Sequence, residues 1–217
     1  MSTAPKQLFV SAEEYLRSEE TSAVRREFVK GLVFAMAGAN QKHNVIAGNL
    51  YRALQDYLDG GRCMAFMESF KVRVQTENCF YYPDILVACG GLDDESIYTD
   101  DPVFIAEVLS PSTATVDRRE KLSNYLTIPS LRQYAVIHQR RKRVELHQRD
   151  EAGNWTEAEL VSGDEIRFLG LPGDGLKVAV DFLYRNTTVP RGSFGVSEEI
   201  DDEYVVSAEE EAFLYES

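Results

Sequence analysis

The run Val103-Phe104-Ile105-Ala106-Glu107-Val108-Leu109 decides the fold that we expect for this chain. Apart from Glu107 the run is apolar, without the alternation typical of a strand with one face in water, so it predicts a central strand buried on both faces. An unpaired charge in such a strand is costly, so the carboxylate needs a cation, a base or a hydrogen-bond network. This strand is therefore the starting point for both the fold and the site.

A second carboxylate, Asp84, follows Pro83 and directly precedes another apolar run, residues 85–89. Two carboxylates on adjacent strands of one sheet can converge on a cation, and hard ions such as Mg²⁺ take oxygen ligands and keep several waters. Such an ion activates water and neutralises charge on phosphate. The alternative is structural: Glu107 pairs with a buried arginine and Asp84 caps a turn. Taken by themselves, the two residues favour this alternative.

The segment after the central strand adds a cation. Residues 110–113 predict the start of a helix that continues to Ile128. Asp117, Lys121 and Tyr125 stand at i, i+4 and i+8, so they share one face. If this helix packs behind the strand, Lys121 can orient an attacking water or stabilise charge on phosphate. The alternative is an ordinary surface pair between Asp117 and Lys121.

The other segments predict one mixed α/β or α+β domain. Helices are expected after a capping box that begins at Ser11, from His43 to Leu58, and from Val180 to Tyr184, and a hairpin is expected around Lys30-Gly31. Further strands are expected at residues 63–66, 70–74, 81–89, 134–138, 143–148, 155–160 and 165–168.

The net charge of −13 is unevenly distributed. Residues 196–217 carry nine acidic and no basic side chains, which leaves the rest of the chain at −4. We expect a domain over residues 1–185 and an acidic, flexible tail over residues 186–217. An acidic protein is at first sight a poor partner for nucleic acid. A site that binds a polyanion through a metal does not require a basic protein, however.

Several function classes are disfavoured by the sequence. No apolar run reaches the ~18 residues of a membrane span, and the N-terminus lacks a signal pattern, so we expect a cytoplasmic protein without membrane association. The three cysteines, Cys63, Cys79 and Cys89, are odd in number and widely spaced. We therefore expect free thiols in a reducing compartment and neither a disulfide framework nor a cysteine zinc site.

Six stretches resemble the Uma-type restriction endonuclease family of bacteria, and the resemblance extends over about residues 8 to 185. It implies the PD-(D/E)XK nuclease-like fold, in which helices flank a mixed central β-sheet. The stretches are residues 25–31, 43–44, 81–87, 101–113, 117–125 and 129–134.

The resemblance also implies roles for individual residues. Asp84 matches the aspartate of the PD motif and Glu107 the acidic residue of the second motif. Together with the Val108 carbonyl they would hold Mg²⁺ or Mn²⁺. Leu109 stands where the superfamily has its lysine, a departure that makes Lys121 the expected substitute.

Four further side chains are expected to support this site. Glu27 and His43 match polar positions that the family places nearby, Glu27 as a third carboxylate and His43 to orient water or touch phosphate. A hydrogen-bonded structural role is as compatible with either residue. Asp117 and Tyr125 support the site through the helix face that they share with Lys121.

The function implied is a metal-dependent endonuclease that hydrolyses phosphodiester bonds of nucleic acid, with DNA favoured over RNA. One alternative is a catalytically silent binding or regulatory module, which Leu109 and the acidic balance favour; another is a phosphodiesterase acting on RNA or small nucleotides.

The basic run Arg140–Arg143 would contact a nucleic-acid backbone or form a solvated turn. A homodimer could form through edge strands.

Overall fold

The computed structural model describes residues 9–36, 38–90, 92–109, 120–173 and 175–190, which form a five-stranded, a six-stranded and a two-stranded sheet with short and long helices around them. The helices are α1 (Ala12–Glu19), α2 (Gln41–Leu58), α3 (Leu122–Tyr125) and α4 (Val180–Leu183). The strands are β1 (Arg26–Val29), β2 (Leu32–Ala35), β3 (Cys63–Met67), β4 (Lys71–Val74), β5 (Cys79–Tyr81), β6 (Ile85–Cys89), β7 (Tyr98–Thr99), β8 (Pro102–Leu109), β9 (Gln133–His138), β10 (Arg143–Arg149), β11 (Trp155–Val161), β12 (Glu165–Arg167) and β13 (Lys177–Ala179).

Strand β8 lies inside the six-stranded sheet, whose order is β11-β10-β9-β8-β6-β3. It runs antiparallel to β6 and parallel to β9. Phe104, Ala106 and Val108 belong to the core cluster that includes the apolar face of α2, whereas Ile105 and Leu109 belong to a second cluster on the opposite face. The prediction of a central strand buried on both faces is therefore confirmed.

The five-stranded sheet has the order β2-β1-β5-β4-β7 and begins with the predicted hairpin. Its turn residues Lys30 and Gly31 both have positive φ, 51° and 98°, as a two-residue hairpin turn that follows the strand twist requires. This turn fixes the register, which places Glu27 opposite Phe34. The predicted capping box at Ser11 is also present, and it starts α1.

The run from residue 81 to residue 89 divides between the two large sheets. We expected one strand; instead β5 pairs in the five-stranded sheet and β6 in the six-stranded sheet. Pro83 lies between them, and a proline cannot donate to a strand ladder. As a result Asp84 stands where the chain passes from one sheet to the other.

The predicted helix after β8 is described only from its C-terminal part. Residues 110–119, and with them Asp117, lie outside the described residues. The described helix ends at Tyr125, before the expected end at Ile128. Ile128 directly precedes Pro129 and is therefore disfavoured in helical conformation, so the expected end at Ile128 was too late.

The expectation that all cysteines are free thiols is wrong. Cys63 and Cys89 form a disulfide, while Cys79 is free and buried. The antiparallel register of β3 and β6 places Cys63 directly opposite Cys89, although 26 residues separate them in the chain. Spacing along the sequence does not reveal such a pairing, and the inference of a reducing compartment loses the support it drew from free thiols.

At the C-terminal side the packed body continues past Arg185. Val189 is 6% exposed and belongs to the core cluster around α2. Residues 191–217, most of the expected tail, lie outside the described residues. None of the described helices combines the length and the apolarity needed to cross a membrane.

Candidate active site

Asp84 joins the central strand to the start of α2. The ladder between β6 and β8 reaches Ile85 opposite Ala106, and just beyond it the Val108 N–H donates to Asp84 Oδ2 at 2.6 Å. The carboxylate thus continues the hydrogen bonding of the strand one residue after Glu107. This position follows from the proline before Asp84, because β6 begins only after it.

His43 occupies the other oxygen of Asp84. Its Nε2 lies 2.9 Å from Asp84 Oδ1, and since an ionised carboxylate can only accept, the imidazole N–H donates. The ring is held in the first turn of α2, where Asn40 caps the helix by accepting from the His43 N–H at 3.0 Å. His43 is 7% exposed, so this pair is largely screened from water.

Glu107 is compensated by a lysine and a tyrosine. Its Oε1 accepts from Lys121 Nζ at 3.2 Å and from the Tyr125 hydroxyl at 3.0 Å. Lys121 and Tyr125 therefore do share the face that the helical spacing predicts. Leu109, two residues further along β8, packs in the second core cluster. Burial there suits leucine better than the lysine that the sequence analysis took as usual for this position.

Lys121 also reaches a carboxylate of the other sheet. Its Nζ lies 3.0 Å from Glu27 Oε1, and the same oxygen accepts the Tyr82 N–H at 3.2 Å. The side chains of Lys121, Glu27 and Glu107 are 6%, 13% and 4% exposed. One buried ammonium thus lies between a carboxylate of β1 and a carboxylate of β8, and we call these three residues the charge bridge.

Two polar residues that the sequence analysis missed, Glu120 and Asn124, hold α3 in place through the Tyr81 hydroxyl. The Tyr81 hydroxyl donates to Glu120 Oε1 at 2.8 Å and accepts from Asn124 Nδ2 at 2.6 Å. Asn124 is buried among apolar neighbours, and a buried amide in a helix is a signal that a partner is needed. These contacts fix the rotation of α3 that directs Lys121 and Tyr125 to Glu107.

The protonation of the buried tyrosines follows from their surroundings. Burial raises the pKa of Tyr125 well above its usual value, and the neighbouring carboxylates of Glu107 and Glu27 raise it further. Burial likewise raises the pKa of Tyr81. The Tyr125 hydroxyl therefore stays protonated at neutral pH and donates a hydrogen bond to Glu107.

The basic run lies at the tip of the hairpin between β9 and β10. Lys142 Nζ is paired with Asp181 Oδ1 at 2.5 Å. Arg143 is paired with two carboxylates of the sheet, Glu145 at 3.1 Å and Glu159 at 2.9 Å. These pairs neutralise part of the run, which makes it a weaker candidate for binding phosphates than its composition indicates.

The donors present fit a hard divalent ion. Within the described ranges no group of three or more His, Cys, Asp or Glu side chains is arranged to hold a metal. Mg²⁺ does not need such a cage, since one or two carboxylates, waters and substrate phosphates suffice for it. Glu107 lies on β8 and Asp84 contacts the Val108 N–H of that strand, and both supply the carboxylate oxygens that suit Mg²⁺ or Mn²⁺.

Comparison with known families shows the family of the chain. The family model Uma2, described as putative restriction endonuclease, matches residues 12–180. The chain belongs to the Uma2 family. The chain is also similar to two proteins of Synechocystis sp. that are named as uncharacterized: slr1290 is 30% identical over 81% of this chain, and sll1609 is 32% identical over 73%. The alignments cover 92% of each relative.

A solved structure supports the fold of this Uma2 chain. The crystal structure of a putative nuclease belonging to DUF820 from Anabaena variabilis superposes with a TM-score of 0.62 at 14% identity, covering 81% of this chain and 97% of that protein. The fold is therefore the predicted restriction-endonuclease-like one, with mixed sheets and few helices. Family and fold together are those of nuclease-like proteins, for which the substrate class is nucleic acid.

Proposed function

We propose that this Uma2 chain is a Mg²⁺-dependent endonuclease that hydrolyses phosphodiester bonds of nucleic acid, DNA in preference to RNA. The observation that carries the proposal is the contact of Lys121 Nζ with Glu107 Oε1 at 3.2 Å. It supplies a buried ammonium beside the second acidic residue although Leu109 occupies the usual lysine position. The alternative of a silent module is favoured by Leu109 and by the acidic balance of the chain; the contact answers the first of these and so supports catalysis.

Asp84 and Glu107, with the Val108 carbonyl, are the proposed ligands of the ion. A bound Mg²⁺ would lower the pKa of a coordinated water and neutralise charge on the phosphate. His43 holds Asp84 in one rotamer through Oδ1, and Tyr125 does the same for Glu107 through Oε1.

Lys121 is the proposed catalytic cation. Its ammonium has three protons to donate, and it can orient the attacking water or bind a non-bridging phosphate oxygen. Glu27 keeps the ammonium close to Glu107 in the free protein. Asp117 lies outside the described residues, and its supporting role stays a prediction.

A cleavage assay tests the proposal. Supercoiled plasmid, single-stranded DNA and RNA are incubated with Mg²⁺ or Mn²⁺, and wild type is compared with Asp84→Asn, Glu107→Gln and Lys121→Met. We expect each variant to lose at least about a hundredfold in rate, the effect typical of removing one stabilising group from an active site. The matched control is Glu145→Gln, which should cleave like wild type. The Glu145 side chain is 12% exposed and pairs with a histidine, and the Asp84 side chain is 13% exposed and also pairs with a histidine.

Metal binding provides the second measurement. Calorimetry with Mn²⁺ should show lost affinity in Asp84→Asn and Glu107→Gln while circular dichroism shows a retained fold. Unchanged Mn²⁺ affinity in both variants would refute the metal site. A folded wild type that neither cleaves nor binds metal would favour the silent module instead.

A further inference from the structure

An exposed aromatic ring lies beside the charge bridge. Phe34 on β2 is 44% exposed, and the hairpin register places it directly opposite Glu27. Residues directly opposite in an antiparallel pair carry their side chains on the same face, with Cβ atoms about 4.5–5.5 Å apart. Glu27 in turn contacts Lys121 at 3.0 Å, so Phe34 is the cross-strand neighbour of a residue that pairs with the proposed catalytic cation.

Phe34 does not serve the core next to its own strand. Its neighbour Val33 packs against the cluster of Tyr15, Phe28 and Phe80 under α1, and successive side chains of a strand point to opposite faces. Phe34 therefore points to the site face, where it leaves much of its ring in water. A single exposed ring is common on protein surfaces, so a ligand is indicated only by what lies beside Phe34 on this face.

A guanidinium stands on the same face, two residue pairs further along the hairpin. The Met36 N–H donates to the Arg25 carbonyl at 2.9 Å, which extends the ladder beyond Glu27. Arg25 is two residues from Glu27 and so shares its face. Its Nη2 donates to Ser69 Oγ at 2.8 Å, while the Glu68 carboxylate is 3.7 Å away from Nη1.

The contacts of Arg25 connect it to the border of the proposed metal site. The Glu68 N–H donates to the Asp84 carbonyl at 3.2 Å, so the loop that holds Arg25 abuts Asp84. The Arg25 side chain is 46% exposed. A long ion pair in water holds a guanidinium weakly, and guanidinium is well suited to bind phosphate oxygens.

We propose that Phe34 and Arg25 form a nucleotide subsite, in which Phe34 stacks on an unpaired base and Arg25 binds a neighbouring phosphate. This inference rests on the proposed nuclease function and names its substrate class. A base offers its face to a side chain only when it is unstacked, so the substrate is single-stranded nucleic acid or a strand with a locally unpaired base. Intact duplex is then the poorer substrate.

A second copy of the chain is the other candidate for covering Phe34, because β2 is an edge strand. The neighbours on the same face argue against it. Glu27 and Arg25 are charged, and charged residues are depleted from the centre of protein interfaces. An aromatic ring beside a guanidinium is instead the combination that binds single strands.

Oligonucleotide binding tests the subsite. Fluorescein-labelled single-stranded DNA and RNA of about 12 nucleotides, a length typical of such sites, and the matching duplex DNA are titrated with the full chain in Ca²⁺ and followed by anisotropy. We expect Phe34→Ala to weaken single-strand binding about tenfold and Phe34→Trp to retain it. Ile97→Ala is the matched control, because Ile97 is 47% exposed and precedes β7 at the opposite edge of the same sheet; it should bind like wild type.

Two further measurements separate the ring from the guanidinium. A series of oligonucleotides, each with one abasic position, is then titrated. For wild type we expect the affinity to fall when the abasic position is the one that stacks on Phe34. For Phe34→Ala the same abasic position should cause no further loss of affinity. Arg25→Ala should reduce the slope of log K against log salt by about one, as expected for one lost phosphate contact.

The outcomes distinguish this inference from the proposed function. If wild type cleaves and Phe34→Ala binds every oligonucleotide as wild type does, the nuclease stands and the subsite is refuted. If Phe34→Ala changes only the mass measured by light scattering, Phe34 belongs to a subunit contact and the subsite is again refuted. A wild type that binds no nucleic acid and cleaves none overturns both.

Discussion

At the scale of the residue, the sequence identifies Glu107 and Lys121 but not how their charges are shared. An acidic residue within an apolar strand requires a partner on any argument from solvation, and the helical spacing supplies Lys121 and Tyr125. That Glu27 shares the same ammonium depends on how the two sheets meet, which no local pattern contains. Phe34 was missed too, although the two-residue turn at Lys30-Gly31 already fixes its position opposite Glu27.

Lys121→Met should destabilise the protein strongly. It leaves two buried carboxylates without their shared cation, and removing one partner of a buried ion pair costs about 3–5 kcal/mol. The free energy of unfolding is measured by urea denaturation. The control is Lys30→Met, whose side chain is 60% exposed and paired with Glu77 at 2.9 Å; water screens a surface pair of this kind, so its loss should change the free energy of unfolding little. Equal effects of the two substitutions would show that the charge bridge does not stabilise the fold.

At the scale of the element, the predictions that held rest on local signals. A capping box starts α1, a Lys-Gly turn closes the first hairpin, and an apolar run forms β8. Most of the features that were missed depend on which distant segments pair. The short strands β7 and β13 and the disulfide are set by the sheet register and not by the residues on either side of them, whereas the break between β5 and β6 coincides with Pro83, a local signal that the sequence analysis did not use.

The disulfide should stabilise the edge of the six-stranded sheet. Strand β3 has β6 as its one neighbour in that sheet, and Cys63–Cys89 closes a loop with a sequence separation of 26. A cross-link of this span contributes about 2–4 kcal/mol, so a reducing agent should lower the free energy of unfolding by that amount.

The matched variants are Cys63→Ala combined with Cys89→Ala, which should not respond to the reducing agent, and Cys79→Ala, which should respond like wild type. Thiol titration of the unfolded, unreduced chain should find one thiol, that of Cys79. Three thiols without reduction would contradict the disulfide.

At the scale of the whole molecule, many buried hydroxyls lie in and between the clusters. Burial raises the pKa of Tyr82 to about 12, and it raises those of other buried tyrosines further, namely Tyr15, Tyr81, Tyr125 and Tyr184. In the unfolded chain a tyrosine ionises near pH 10. The folded state thus retains protons that the unfolded state releases at alkaline pH.

Stability should therefore collapse on the alkaline side. A group whose pKa is raised on folding contributes stability that is complete below its unfolded value and is lost as the pH rises through its folded value. We expect the free energy of unfolding to fall steadily above about pH 10, followed by urea denaturation across a pH series with tyrosinate absorbance as the second signal. Tyr82→Phe should lessen the fall between about pH 10 and 12, and tyrosines that all ionise in the folded protein near pH 10 would contradict the prediction.

The charge bridge has a consequence for inheritance. Since the Lys121 ammonium contacts a carboxylate of each large sheet, the same three residues connect the two sheets. A descendant that abandons hydrolysis still has reason to retain them, because their loss would loosen its architecture. Retention of these three residues across a lineage therefore reflects common descent and the stability of the fold. Whether a given member hydrolyses nucleic acid has to be measured for that protein.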